Sequence, residues 1–147
     1  MAEAAAGAPG KPFTMRVELG KLREFARATK SSNPAYLADE HPVSPPTFLM
    51  TAAFWQTAAN RPGGGARSYE RVLHGEQEFV FHGEPPRAGT VLTGQSRIDK
   101  VYEKEGRRGG TMTFTETVTE FRDPQGTLVA ETRSTVIETS KAPEMAS

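Results

Sequence analysis

The sequence predicts an α+β domain in which a long antiparallel sheet wraps around one apolar helix. Two observations predict it. The first half of the chain is helical in pattern and contains a segment, 47–59, that is apolar nearly all round. The second half, from about residue 72, alternates with a period of two, as strands do. A helix without a polar face has to be covered by other structure, and long strands can cover it.

The helical half divides into two predicted helices. The first runs from about 20 to 30, where five residues fall at helical spacing: Leu19, Leu22, Phe25, Ala26 and Thr29. Asn33-Pro34 follows, and the residue before a proline avoids the helical region, so the helix ends ahead of it. The second helix, 47–59, starts after Pro46 and is ended by the Arg61-Pro62-Gly63 sequence.

The second half of the chain reads as strands joined by short turns. Four strands are predicted, at about 72–82, 90–104, 110–122 and 127–139. Short turns join consecutive strands as antiparallel hairpins. Threonine occupies every odd position from 111 to 119, so the two faces of the third strand meet different environments. These strands exceed the usual length of about 5 or 6 residues, and with the apolar helix they indicate the hot-dog architecture.

Length and composition bound the possible functions. The 147 residues suit one domain, placed at 13–139, with disordered tails at 1–12 and 140–147. Lys plus Arg and Asp plus Glu both total 18, so the chain lacks the basic surface expected for nucleic acid or an anionic membrane. No cysteine is present, which excludes disulfides and a cysteine nucleophile. Without a membrane-spanning run or a recognisable signal peptide, we expect a cytoplasmic protein.

Three motifs carry a resemblance to a known family. The segment 29–36 reads T-K-S-S-N-P-A-Y and resembles the S-G-D-x-N-P-x-H signature of (R)-specific enoyl hydratases and MaoC-like dehydratases. The segment 74–94, from H-G-E-Q-E-F to L-T-G, is similar to a pattern of FAS1-like, MaoC-type dehydratase domains. The segment 43–48, V-S-P-P-T-F, is similar to the one that opens the central helix in that group. Together they particularly resemble the HadA-type, non-catalytic subunits of heterodimeric (3R)-hydroxyacyl-ACP dehydratases.

The resemblance implies a hydro-lyase subunit whose own acid–base pair is missing. In catalytic relatives an Asp and a His add or remove water at a 3-hydroxyacyl thioester, and their positions here read Ser31 and Tyr36. Where many relatives have His-Gly, whose backbone N–H serves as an oxyanion donor, this chain has Pro46-Thr47, and proline has no N–H. The implied partner is a hot-dog subunit with an intact Asp and His, or a second copy of this chain. The implied substrate is acyl-ACP or acyl-CoA of fatty-acid-type metabolism, and neither a cofactor nor a metal is expected.

Six residues are candidates for contact with the acyl substrate on the basis of the resemblance: Asn33, Tyr36, Phe48, Trp55, His74 and Gln77. None is assigned as catalytic, although Tyr36 and His74 are the side chains considered for that role. A phenol titrates near about 10 and is a poor base at neutral pH, which favours a lining role for Tyr36. Asn33 equally suits a turn, and Phe48 and Trp55 equally suit the core.

The remaining histidines and glycine-rich segments receive structural interpretations. His41 and His82 are expected on the surface, and no two histidines have the spacing of a metal site. The glycine run at 63–65 lacks the Lys-Ser/Thr of a phosphate loop. The segment 106–109, G-R-R-G, reads as a hairpin turn, although its arginines would also suit the phosphates of an acyl carrier or CoA.

Two other functions stay open from the sequence. A homodimer of this chain could bind acyl-CoA or acyl-ACP without catalysing a reaction. A hot-dog thioesterase is the second alternative, and it needs a carboxylate to activate water, for which Glu76 and Glu78 are the candidates. Hydration activity with and without an Asp–His partner discriminates between these functions and the dehydratase subunit.

Overall fold

A computed structural model describes residues 7–63, 69–107 and 110–141. Within them, five strands form one sheet: β1 (Phe13–Arg16), β2 (Val72–Phe81), β3 (Val91–Gly106), β4 (Gly110–Arg122) and β5 (Leu128–Thr139). Between β1 and β2 the chain forms α1 (Leu19–Ala28), α2 (Pro34–Leu37) and 3-10 helices at Phe48–Trp55, Ala58–Asn60 and Tyr69–Arg71. We call the 3-10 helix Phe48–Trp55 the central helix.

The sheet confirms the predicted strands and adds one. All neighbouring strands are antiparallel, in the order β1-β3-β4-β5-β2, so β1 and β2 form its edges. The sequence did not predict β1, because its four residues are too few for a clear alternation and a helix pattern follows at once. Phe13 of β1 pairs with Gly94 of β3. A side chain at 94 would lie 2.3 Å from the Phe13 ring, so the pairing requires glycine.

Hydrogen bonds hold the segment ahead of β1. The Gly10 N–H donates to the Ser96 carbonyl at 2.9 Å, and the Lys11 N–H donates to the Ala59 carbonyl at 2.9 Å. These two bonds join the segment ahead of β1 to the domain, within the range 1–12 that the sequence predicts as a disordered tail. The rest of both predicted tails lies largely outside the described residues, which leave out 1–6 and 142–147. The domain boundaries at 13 and 139 stay a prediction.

The core lies at one end of the sheet. Gly94, Phe121, Ala130 and Phe81 form one cross-strand row on the face that carries the core, which we call the inner face. The buried apolar residues packed there come from β1, α1, the central helix and the adjoining ends of β3, β4 and β5: Phe13, Met15, Val17, Leu22, Phe48, Leu49, Ala52, Ala88, Leu92, Phe121 and Ala130. The long strands continue beyond this core.

The central helix is shorter and tighter than the predicted helix at 47–59. It ends at Trp55, because Gln56 takes an extended conformation. A 3-10 helix repeats every three residues, and the buried residues follow that period: Phe48 with Thr51, and Leu49 with Ala52. The third side of the helix, Met50 and Ala53, is exposed, and so is Phe54 in the last turn, although it follows Phe48 and Thr51 in this period; Met50 is 45% and Phe54 83% exposed. The sheet of this chain therefore covers only part of the helix surface. In the described part of the chain, no helix is long and apolar enough to cross a membrane.

A buried carboxylate lies on the opposite, outer face of the sheet. Glu131 of β5 is 8% exposed, and its Oε2 lies 2.7 Å from His82 Nε2 at the end of β2. Arg133 Nη2 approaches Glu131 Oε1 at 3.4 Å. The hydrogen bond from His82 lowers the pKa of Glu131 against the opposing effect of burial, and the charge of Arg133 lowers it further. His82 is exposed, as the sequence predicts, but its pairing with Glu131, 49 residues away, has no signal in the sequence.

We expect Glu131 to contribute to the acid sensitivity of the fold. Because its pKa is lower in the folded than in the unfolded state, its stabilisation is complete above the ordinary Glu pKa of about 4.3 and is lost as pH falls through the folded value. Glu131→Gln should flatten this part of the plot of unfolding free energy against pH, measured by urea denaturation. His82→Ala removes the same bond and should flatten it too. An unchanged slope in both variants would contradict this assignment.

Candidate functional site

The inner face continues past the core as a surface that the described chain leaves uncovered. Three cross-strand rows form it, and we call them the inner-face extension. The first row is Ile98, Thr117, Ser134 and Gln77; the second is Val101, Thr115, Val136 and His74; the third is Glu103, Thr113, Glu138 and Val72. All twelve side chains are half-buried or exposed. Among the described residues, this half of the inner face therefore carries no core of its own.

His74 and Gln77 share this surface because of a β-bulge. Residues three apart on a regular strand point to opposite faces. The register of β2 shifts between His74 and Glu76, so that His74 pairs with Val136 while Gln77 pairs with Ser134. Gly75 suits the bulge, because a Cβ there would lie 3.1 Å from Ile137 Cδ1. The bulge thereby brings both candidates of the H-G-E-Q motif to one face.

Three more candidates contact the core that borders the extension. Tyr36 and Trp55 are partly buried and pack against the core cluster. Phe48 is completely buried, and its ring meets that of Phe25 edge-on with centroids 5.6 Å apart. Phe79, next to Gln77 on the inner face of β2, packs against the same cluster. The core therefore adjoins the extension without a break. Phe48 belongs to the core and not to the exposed surface.

The segment that resembles an active-site motif serves as a turn. The Ser31 hydroxyl accepts a hydrogen bond from the Asn33 N–H at 3.3 Å. Asn33 caps α2, since its Oδ1 accepts from the Ala35 N–H at 3.0 Å. Across residues 7–63, 69–107 and 110–141, the Tyr36 side chain has neither a hydrogen bond nor an ion pair. Ser31 and Asn33 therefore have local structural roles, and no described residue forms a hydrogen bond that would activate the Tyr36 hydroxyl.

The start of the central helix offers few oxyanion donors. Pro46 has no N–H, and the Phe48 N–H already donates to the Pro45 carbonyl at 3.0 Å. Ser44 is buried nearby, and its Oγ lacks a hydrogen-bond partner among the described residues. The glycine of the relatives' His-Gly pair corresponds to Thr47, which keeps its backbone N–H, so the missing N–H of Pro46 does not by itself remove the oxyanion donor.

Other candidate groups lie away from the extension. Glu76 and Glu78 project from the outer face of β2, since they pair with Thr135 and Arg133. The backbone N–H of His41 donates to Asp39 Oδ1 at 2.8 Å, and its side chain is exposed. In the described ranges no three His, Asp or Glu side chains are grouped to hold a metal ion. The G-R-R-G turn and the glycine run at 63–65 lie partly outside the described residues.

Comparison with known proteins agrees with this fold. A UPF0336 protein from Streptomyces coelicolor is 38% identical over 109 residues, which cover 65% of this chain and 70% of that protein. The HadBC (3R-hydroxyacyl-ACP dehydratase) complex from Mycobacterium tuberculosis is 26% identical with a TM-score of 0.66, covering 87% of this chain and 95% of that one. The ChsH1-ChsH2 complex from the same organism, 19% identical with a TM-score of 0.67, shares the fold over 95% of this chain and 89% of that one.

These similarities confirm the predicted hot-dog architecture and the predicted family. Residues 4–132 match the family described as FAS1-like, dehydratase domain region, and this range contains all six candidate residues. The chain belongs to the MaoC-like, FAS1-like dehydratase family.

Proposed function

We propose that this chain is a non-catalytic subunit of a dehydratase or hydratase that acts on (3R)-hydroxyacyl thioesters in fatty-acid-type metabolism. The observation that carries the proposal is the segment 31–36, where Ser31 and Asn33 form a turn and Tyr36 has no partner within the described residues. Dehydration needs a base that removes the α-proton and an acid that protonates the leaving β-hydroxyl, which departs as water. Neither group is available at the motif position of this chain.

The inner-face extension is the part of the subunit that would hold the acyl group. It is continuous with the core surface of Tyr36 and Trp55, and His74 and Gln77 lie on it. Family members that carry the intact pair would bring their Asp and His to the thioester end of the same substrate. The thioester carrier is ACP or CoA, and the reaction uses neither a metal nor a cofactor.

A partner subunit would extend the sheet at β2. The other edge, β1, has only four residues, whereas β2 has ten. The His82 N–H donates to the Val129 carbonyl of β5, and since backbone direction alternates along a strand, the polar groups of Gln77, Phe79 and Phe81 point outward. Pairing with a partner strand would satisfy them. The structural similarity to subunits of the HadBC and ChsH1-ChsH2 complexes supports a hot-dog partner.

Hydration of crotonyl-CoA and of a longer enoyl-CoA tests the proposal. The chain alone should be inactive, and activity should appear when it is co-expressed with a hot-dog subunit from the same organism that carries the intact Asp and His. In that pair, replacing the partner's Asp by Asn should lower turnover by about 10²–10⁴. Tyr36→Phe and His74→Ala in this chain should leave kcat within about threefold, because neither acts as acid or base.

Two results would contradict the proposal. Turnover by the chain alone that is abolished by Tyr36→Phe or His74→Ala would make this chain the catalyst. Binding of acyl thioesters without turnover, even with the partner present, would favour the acyl-binding homodimer, for which the same β2 edge could accept a second copy. A thioesterase is disfavoured, since Glu76 and Glu78 project from the face opposite the extension.

A further inference from the structure

Four hydroxyl groups on the inner-face extension have no hydrogen-bond partner among the described side chains. Thr113, Thr115 and Thr117 follow one another on the inner face of β4, and Ser134 of β5 pairs with Thr117. No side-chain hydrogen bond joins any of these four hydroxyls to another described residue. The next inner-face threonines along β4, by contrast, are hydrogen-bonded. Thr111 Oγ1 donates to Glu105 Oε1 at 3.1 Å, and Thr119 Oγ1 lies 2.8 Å from Ser96 Oγ. On β4 and β5, five inner-face hydroxyls have no side-chain partner among the described residues: the four of the extension lie where the face lacks a core, and the fifth, Thr132, lies next to Phe79 at the core end.

The polarity of the inner face changes in steps along the strands. The row Gly94, Phe121, Ala130 and Phe81 has no polar side chain. In the next row Ser96 and Thr119 hydrogen-bond to each other, Phe79 is apolar, and only the Thr132 hydroxyl has no side-chain partner among the described residues. The first two rows of the extension then combine aliphatic side chains with free hydroxyls and with Gln77 or His74. An alkyl chain laid on these rows would remove water from the hydroxyls without replacing its hydrogen bonds, which opposes binding.

The charges on the extension lie at its far end. The first two rows contain no acidic, lysine or arginine side chain, and the third contains Glu103 and Glu138. Arg71 Nη2 pairs with Glu138 Oε1 at 2.9 Å. The part of the extension that carries the hydroxyls therefore suits a ligand with neutral oxygen atoms, because a carboxylate or phosphate would meet acidic side chains at the far end.

We infer that the acyl group held by this subunit carries hydroxyl or keto oxygens along its length, placed to hydrogen-bond with Thr113, Thr115, Thr117 and Ser134. The inference rests on the proposed function and specifies its substrate class. The aliphatic residues Ile98, Val101 and Val136 would contact the carbon chain between those oxygens. Each threonine can donate and accept, so both hydroxyl and keto groups find a partner.

Two thioester probes of equal length test the inference by calorimetric titration: octanoyl-CoA and an octanoyl-CoA that carries two hydroxyl groups remote from the thioester. The titration uses the chain alone and the chain paired with the Asp–His subunit. Wild type should bind the dihydroxylated probe about tenfold more tightly, as expected for two net hydrogen bonds. Thr115→Val and Thr117→Val keep the side-chain shape and strand preference, and each should weaken only the dihydroxylated probe, by about three- to tenfold.

Thr135→Val is the matched control. Thr135 lies on β5 beside Ser134, but it pairs with Glu76 and Glu116 on the outer face, so this variant should bind both probes as wild type does. Thermal unfolding of each variant verifies that the fold is kept. Equal affinity for the two probes, or equal losses in Thr115→Val and Thr135→Val, would overturn the inference and leave the proposed function intact. Failure of both probes to bind, with and without the partner, would overturn the proposed function.

Discussion

Phe121→Ala should lower the free energy of unfolding by about 3–5 kcal/mol. Phe121 is completely buried on the inner face of β4, and its ring meets that of Phe13 edge-on with centroids 6.2 Å apart. It lies between Gly94 and Ala130 in its cross-strand row. Neither neighbour has a side chain large enough to fill the resulting space, so the cavity would persist. Urea denaturation followed by circular dichroism measures the change.

Phe114→Ala on the same strand is the control. Phe114 lies on the outer face of β4, half-buried, where it stacks on Tyr102 with centroids 5.0 Å apart and Lys104 Nζ lies 5.1 Å from its ring. Because this ring pair is only half-buried, removing it should lower the free energy of unfolding by about 1 kcal/mol. If both variants cost the same, the outer face of β4 would be packed as closely as its inner face, and the assignment of the core to the inner face would be wrong.

The strands could be predicted because their alternation persists over many residues. In β4 the odd-numbered threonines and the even-numbered residues face opposite sides for the whole strand, and a register error there would exchange two faces of different chemistry. β1 has only four residues, of which Phe13 and Met15 are buried, and its pairing depends on distant Gly94. So short a strand is identified by its partner rather than by its own pattern.

The central helix shows a different limit. A segment that is apolar on all sides has no period in its sequence, so composition cannot distinguish an α-helix from a 3-10 helix. The hydrogen bonds decide, as in the bond from the Met50 N–H to the Thr47 carbonyl at 3.1 Å. The three-residue period alone would group Phe54 with the buried Phe48 and Thr51, so its exposure reflects its position in the last turn, where the helix ends at Trp55.

His74 and Gln77 share one face of the sheet through an arrangement that their spacing in the sequence does not predict. Motif comparison selects His74 and Gln77, yet their spacing of three places them on opposite faces of a regular strand. A glycine inside a strand pattern is a signal for a bulge, and Gly75 carried that signal. The threonine alternation was visible in the sequence as well. Which face those threonines occupy depends on the pairing of β4 with β3 and β5.

Asn60→Asp should lower the free energy of unfolding by about 3–5 kcal/mol, because it places an uncompensated charge in a buried site. Asn60 is buried between the segment ahead of β1 and the residues that follow the central helix. Its Oδ1 accepts from the Thr57 N–H at 2.7 Å, and its Nδ2 donates to the Lys11 and Pro12 carbonyls at 3.0 and 3.1 Å. A carboxylate keeps the first contact but turns an acceptor toward two other acceptors.

The pH dependence of the Asn60→Asp variant provides the decisive measurement. Burial beside two carbonyl oxygens raises the pKa of the introduced carboxyl in the folded state, so the variant loses stability relative to wild type as pH rises through the unfolded value. Asn33→Asp is the control: its exposed side chain caps α2 through the Ala35 N–H, and Asp is an equally good cap, so the change should stay within about 0.5 kcal/mol. Trp55, at the end of the central helix, borders the proposed acyl surface. If the loss of unfolding free energy in Asn60→Asp shrank with rising pH, or if both variants lost equal amounts, Asn60 would not anchor residues 10–12 to that end of the helix.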